Sequence, residues 1–313
     1  MGARPIIIDC DPGQDDAVAL LLAFASPELD VVAVTAVAGN VPLALTEANA
    51  RRVCELAGRA DVAVHAGCPR PMVRRLETAE HVHGKTGLAG VELPEPTMAL
   101  APGHAVDFLV ERLMASDGEI TLAAMGPLTN LALAIVMEPR IVAKMRGIVL
   151  MGGSIGPGNA TPAAEFNIHT DPHAAAVVFD AGAPLTMIGL DVTQKAVATP
   201  DRVAAIRDLG GPVAAAVAAM LDTHLARVAK RPGGRGAALH DPCVIAYLLE
   251  PGLFEARPFH VAIETASPLT LGQTVVDRAG VSGAAPNADV VVEIDADGFF
   301  DLLTERLERL GAG

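Results

Sequence analysis

Short apolar runs alternate with longer stretches of helical period through most of this chain. Runs at residues 5–8, 31–37, 62–65, 120–124, 148–151 and 185–188 predict buried strands. Helical patterns lie between them, near residues 15–24, 43–56, 104–115, 128–137 and 172–180. Strands that alternate with helices predict an α/β fold with a mostly parallel central sheet, flanked by helices and joined by right-handed crossovers. A Gly/Pro-rich segment at 67–97 breaks the rhythm and predicts a long functional loop. Beyond Gly189 the pattern changes. Residues 200–209 and 212–228 predict helices, the second rich in alanine, and a Gly/Arg stretch at 230–236 is expected to be mobile. Another helix is predicted over 241–249, with Asp241 as its N-cap and Pro242 at its first position. Late strands at 259–264, 273–277 and 290–294 and a closing helix at 299–310 complete the pattern. With no internal repeat and no low-complexity linker, the expectation is one domain over 1–313, with a helical excursion at about 200–250.

Composition narrows the partners. Of 313 residues, 51% are apolar but only 3% aromatic, so the core must be built from Ala, Val, Leu and Ile. A formal net charge of −14 argues against a nucleic-acid partner, which would want a basic face. No apolar stretch is long enough to predict a membrane span, and the chain enters a strand without a signal-peptide pattern. Cys10, Cys54, Cys68 and Cys243 show neither CxxC pairing nor zinc spacing, so reduced thiols and a cytoplasmic protein are expected. Cys10 reads as a small filler at the end of a strand.

The chemistry concentrates in Asp9-Cys10-Asp11-Pro12-Gly13-Gln14-Asp15-Asp16, four carboxylates on a strand-to-helix turn. That edge of an open α/β sheet is where ligands bind, and packed carboxylates need a cation, shared protons or full solvation. Asp15 and Asp16 could serve only the positive end of the helix; four acids ask for more. A hard cation such as Ca²⁺ takes six to eight oxygen ligands, so other segments must contribute. His240-Asp241-Pro242 is one candidate, or else an N-cap beside an ordinary loop histidine. Met151-Gly152-Gly153-Ser154 and the following loop lack the spacing of a phosphate cradle. They read as a turn that presents Asn159, Glu165 and Asn167 to a polyhydroxylated ligand, or as simple loop chemistry. Gly39-Asn40 lies at another strand end. His81 and His83 suit a substrate-contacting loop better than a zinc site. No GxSxG elbow is present, and Gly13 stands where an aspartyl-phosphate phosphatase would carry Thr or Val.

Together these residues closely resemble the nucleoside hydrolases, the inosine–uridine-preferring type in particular. The resemblance spans nearly the whole chain: Asp9 to Ala17, Val37-Ala38-Gly39-Asn40, His81-Val82-His83-Gly84, Gly126-Pro127-Leu128-Thr129-Asn130, Val149 to Gly153, Gly158-Asn159-Ala160, Ala164-Glu165-Phe166-Asn167 and His240-Asp241-Pro242. It implies an open, Rossmann-like fold, a bound Ca²⁺, a homodimer or homotetramer, and hydrolysis of ribonucleosides to ribose and free base. It implies metal ligation by Asp11, Asp16, Asp241 and the Met125 carbonyl, with Asp11 also the general base. Asp15, Asn40, Asn159, Glu165 and Asn167 would contact the ribose, His240 would serve the leaving base, and His83 would line the base pocket. Asp9 would support the turn. One departure stands out: related enzymes place tyrosines before the His-Asp-Pro segment, whereas residues 224–236 contain no aromatic and offer His224, Arg227, Arg231 and Arg235. A nucleoside or ribose sensor that keeps the metal site without turnover is the alternative reading.

Overall fold

The computed structural model describes residues 2–230 and 236–311. In chain order the elements are β1 (Arg4–Cys10), α1 (Gln14–Phe24), β2 (Leu29–Ala36), α2 (Leu43–Leu56), β3 (Ala63–Ala66), α3 (Glu80–His83), α4 (Ala105–Met114), β4 (Thr121–Ala124), α5 (Thr129–Met137) and β5 (Gly147–Met151). There follow α6 (Phe166–Thr170), α7 (Pro172–Phe179), β6 (Leu185–Ile188), α8 (Leu190–Thr193), β7 (Val197–Ala198), α9 (Pro200–Asp208), α10 (Gly211–Val228) and β8 (Ala237–Ala238). The chain closes with α11 (Pro242–Leu249), β9 (Phe254–Ile263), β10 (Thr274–Asp277), β11 (Ala288–Ile294) and α12 (Ala296–Gly311).

Nine strands form one sheet in the order β10-β9-β11-β6-β5-β4-β1-β2-β3. All neighbours from β3 to β11 pair in parallel, while β9 runs antiparallel to both β11 and β10. The first three strands step outward in one direction, and β4 then returns to the other side of β1. This reversal opens a crevice above the carboxyl ends of β1 and β4, where a mostly parallel sheet binds ligands. The mostly parallel sheet flanked by helices is the architecture expected from the alternating pattern.

Successive side chains of β1 serve opposite faces. Ile6, Ile8 and Cys10 join the core shared with α1, α10, α11 and α12, while Ile7 joins the core under α4, α5 and α7. Burial on both faces explains why the parallel strands read as unbroken apolar runs. Helix α1 is buried along its entire length, Asp15 and Asp16 included. All four cysteines are buried and unpaired, Cys10 at the end of β1 among them. Among the described residues, no helix is long and apolar enough to cross a membrane.

Three regions depart from the sequence pattern. Strand β9 starts at Phe254, earlier than the expected 259, because Glu255 and Arg257 face solvent and Pro258 interrupts the apolar signal. Pro258 is tolerated because β10 pairs only with residues 260–263, so its side of the ladder asks for no amide there. The long loop at 67–97 carries the short helix α3, whose buried residue is His83. Residues 231–235, with Arg231 and Arg235 and most of the stretch expected to be mobile, lie outside the described residues.

One buried amide ties the strand ends together. Asn130, in the first turn of α5, donates to Asp9 Oδ1 at 2.8 Å and to the Ala36 carbonyl at 3.1 Å, and accepts from the Cys68 amide at 2.8 Å. A Cβ on Gly67 would lie 2.2 Å from the Asn130 Oδ1, so only glycine lets that loop pass. Replacing Asn130 with Ala removes all three bonds and leaves the buried Cys68 amide without a partner, worth roughly 1–3 kcal/mol, while Asp9 keeps Thr35 and the Ala36 carbonyl keeps the Gly67 amide. Asn130→Ala should therefore lose about 1–3 kcal/mol of stability in urea unfolding, with an unchanged m-value.

Candidate functional site

The acidic turn fills the crevice between β1 and β4. Asp16, in the first turn of α1, accepts from the Gly13 amide at 2.9 Å and the Asp11 amide at 3.2 Å, folding the turn around its own carboxylate. Asn40, from the loop after β2, donates its amide N–H to Asp11 Oδ2 at 2.6 Å and its side-chain NH₂ to Asp16 Oδ2 at 3.1 Å. Two glycines make room for Asp11: a Cβ on Gly39 would lie 2.1 Å from its Oδ2, and one on Gly126 would lie 2.6 Å from its Oδ1. Asp11 Oδ1 is buried with no hydrogen-bond partner. Asp9 stands behind the turn, accepting from Thr35 at 2.5 Å and from Asn130.

Asp241 joins the cluster from the far end of the sequence. It occupies the residue before α11, as expected, but its side chain makes no capping bond. The carboxylate faces Asp16 instead. Ligand oxygens of Asp15, Asp16 and Asp241 converge to within 4.8 Å of one another. The convergent trio thus includes Asp15, which the resemblance assigned to the sugar. Asp11 lies beneath this group, tied to Asn40. The Met125 carbonyl, at the end of β4, accepts from the Asn167 side chain at 2.9 Å and keeps a second lone pair.

Electrostatics sets this cluster apart from a capped helix. Burial lifts Asp16 to about 7, with the Asp15 charge adding to the rise. Burial and the neighbouring Asp16 hold Asp11 well above the usual carboxylate range, and burial with Asp15 and Asp16 does the same to Asp241. Asp9 rises to about 6, chiefly through burial. Asp15 alone is lowered: burial would raise it, but the charges of His83, His240 and His224 outweigh that. Crowded oxygen donors, one of them without a partner, are the donor set of a hard divalent cation.

Above the carboxylates lies a cavity of about 400 Å³. Asp15, Asn40, His83, Met125, Asn159, Glu165, Asn167, His240 and Asp241 all line it, so the structure brings these expected residues to one place. Asp11 and Asp16 lie below its floor. Glu165 is buried at the start of α6, where Oε1 accepts from Asn167 and Oε2 from Gly153 and Ile168; burial lifts its carboxyl to about 7. Asn159 is exposed at the rim and accepts from the Phe166 amide at 2.9 Å. His240 engages Thr193 Oγ1 through Nδ1 at 2.7 Å, which leaves Nε2 for a ligand. His224 and Arg227 reach the cavity from the last turns of α10.

Other lining residues escaped the sequence reading. Arg74, Glu77, His169 and Gln194 belong to the wall, and Arg74 bonds the His169 carbonyl and Glu77. None sits in a motif or beside a strand end: Arg74 and Glu77 reach the wall through the fold of the 67–97 segment, His169 from α6 and Gln194 from the end of α8. Gln14, inside the acidic turn, donates its side-chain amide to the Ala89 and Met220 carbonyls, fixing the turn to the α10 wall.

Known proteins share this arrangement of sequence and fold. The family model of the inosine–uridine preferring nucleoside hydrolases matches residues 6–301. The chain is 49% identical over 306 residues to the pyrimidine-specific ribonucleoside hydrolase RihA of Shewanella sp. strain MR-7, covering 97% of this chain and 96% of that one. It is 49% identical over 308 residues to the protein of the same name from Enterobacter sp. strain 638, covering 98% of each. Among solved structures, the purine-preferring ribonucleoside hydrolase from Gardnerella vaginalis superposes with a TM-score of 0.92 at 31% identity, covering 98% of this chain and 99% of that one. With a family match across nearly its whole length and relatives at this identity, the chain belongs to the inosine–uridine-preferring nucleoside hydrolases and is an N-ribohydrolase of ribonucleosides.

Proposed function

We propose that this enzyme is a Ca²⁺-dependent hydrolase of pyrimidine ribonucleosides that works through an aspartate-activated water. The observation that carries the reading is the buried, convergent carboxylate group on the cavity floor, with Asp11 Oδ1 left without a partner beside it. The preference for pyrimidines draws on relatives at 49% identity that are named pyrimidine-specific.

Asp11, Asp16, Asp241 and the Met125 carbonyl would hold the ion, and Asp15 stands close enough to Asp16 and Asp241 to share in it. Ca²⁺ favours such a set of hard oxygens over a nitrogen or sulfur site. When bound, the cation supplies positive charge that fixes the sugar diol and makes a water more acidic. Asp11 takes the proton of the attacking water. The attack comes from the face opposite the base, as in inverting glycoside hydrolysis, through an oxocarbenium-like transition state. Asn40, Asn159, Glu165, Asn167 and Asp15 grip the ribose and hold it in the reactive geometry. His240, steadied by Thr193, serves the departing base through Nε2.

Three outcomes test this reading. The purified enzyme should release reducing sugar from uridine and cytidine, and strong chelation followed by Ca²⁺ addition should abolish and restore the activity. Saturable binding of nucleosides without turnover would identify a sensor instead. Asp11→Ala should remain folded by circular dichroism while kcat on uridine falls about 10²- to 10⁴-fold, the range of a lost general base; near-normal turnover would remove Asp11 from that role.

The third outcome is a pH-dependence of stability. Near neutral pH the folded, cation-free enzyme still holds part of a proton on Asp16 and on Glu165, both lifted to about 7 by burial, and burial raises Asp11 and Asp241 in the same direction. The unfolded chain ionises the same groups near pH 4. His83, His224 and His240 are all lowered by burial, so above about pH 6.5 they are mostly neutral in both states. Protonation of the raised carboxyls therefore stabilises the fold on the acid side, and this contribution is lost as pH rises through about 7. Melting temperature in chelator should fall from about pH 6.5 to 8. Ca²⁺ at a hundred times its Kd should add about 2.7 kcal/mol at pH 8, and Asp241→Asn should lose that gain. A flat profile in chelator, or an unchanged gain in the variant, would contradict the assigned site.

A further inference from the structure

Asp15, Asp241 and Glu165 line the cavity together with His83, His224, His240 and Arg227, and the Arg227 charge acts on all three imidazoles. A nucleoside whose ribose meets the floor places its base among those three imidazoles. Arg227 follows His224 by three residues on α10, so the two share one helical face, and both line the cavity. Gln14, bonded to the Met220 carbonyl, ties that helix to the acidic turn and sets its distance from the floor.

Resting on the hydrolase reading above, we infer that Arg227 is a catalytic residue: it takes up the negative charge that develops on the base as the glycosidic bond breaks. The bond between the anomeric carbon and the base nitrogen breaks with its electron pair going to the base. The water oxygen bonds to the anomeric carbon, and its proton passes to Asp11. The base leaves as an anion paired with the guanidinium, with His224 and His240 as hydrogen-bond donors, and takes a proton from solvent on release. A pyrimidine anion spreads its charge onto the carbonyl beside the cleaved nitrogen, an acceptor suited to a residue that only donates.

A fixed charge suits this role, because a guanidinium stays charged at any pH the enzyme meets.

The test compares two leaving groups in the Ca²⁺-loaded enzyme. Uridine needs its base stabilised; 4-nitrophenyl β-D-ribofuranoside carries a leaving group that is stable as an anion without help. Arg227→Gln should lower kcat on uridine about 10²-fold, as loss of an electrostatic donor does, and lower it far less on the nitrophenyl riboside. Arg227→Lys, which keeps the charge, should recover much of the loss on uridine. Equal losses on both substrates would overturn the inference, because Arg227 would then act on the sugar or on the fold, and so would an unchanged kcat on uridine. If the unaltered enzyme hydrolysed neither substrate, the hydrolase reading itself would fall, an outcome distinct from failure of the Arg227 assignment.

Discussion

Mutual repulsion among buried carboxylates governs the design of this enzyme. Asp11, Asp15, Asp16 and Asp241 are all buried, and three of them bring oxygens within 4.8 Å of one another. Such a group is unfavourable without protons or a cation to share. The fold holds it in place regardless, because Asp16 is built into its own turn by the Gly13 and Asp11 amides and Asn40 closes it from above. The site is therefore paid for in stability by the rest of the molecule, and binding a hard cation is what relieves the strain.

The scaffold that bears this load is made of apolar strands and a few fully bonded polar groups. Helix α1, buried on every side, carries Asp15 and Asp16 into the crevice and cannot shift without disturbing the core it shares with α10, α11 and α12. Asn130 fastens Asp9 to the ends of β2 and β3, and Asp171 draws Thr129 and the Met72 amide onto the start of α7. These side chains touch no cavity surface. They fix the strand ends from which the site residues project, and an ångström of slack there would reach the reacting atoms.

Much of this was legible in the sequence because the relevant signals are local. The alternation of apolar runs with helical patterns gives the parallel sheet, and four acids between a strand and a helix can hardly be a surface accident. The Asn40, Asn159, Glu165 and Asn167 positions follow strand ends or sit in loops that the resemblance picks out. What stayed hidden depends on distance in space. Asp241 is legible as a candidate ligand, but its neighbours Pro242 and Cys243 suit a helix cap equally, and only the fold shows its carboxylate turned to Asp16, some 225 positions away by subtraction of the two residue numbers. Strand β9 hides its first half because Glu255, Arg257 and Pro258 sit on an exposed, half-paired ladder. Arg74, His169 and Gln194 belong to no periodic pattern, and only the path of the 67–97 segment brings the first of them to the wall.

Sugar and base ends obey different chemistry, and the chain treats them differently. Several of the buried carboxylates, which the proposed reading gives to the cation and the sugar, are held by backbone amides from different elements: Asp11 by Asn40, Asp16 by Gly13, Glu165 by Gly153 and Ile168. Such a network tolerates little substitution, since each lost bond leaves a buried polar group behind. The remaining lining side chains come from several elements: His83 on α3, held by the Gln14 amide, His240 held by Thr193, and His224 and Arg227 from the last turns of α10. In the proposed reading these meet the base, and a substitution on that face of α10 leaves untouched the backbone amides that hold the acidic turn.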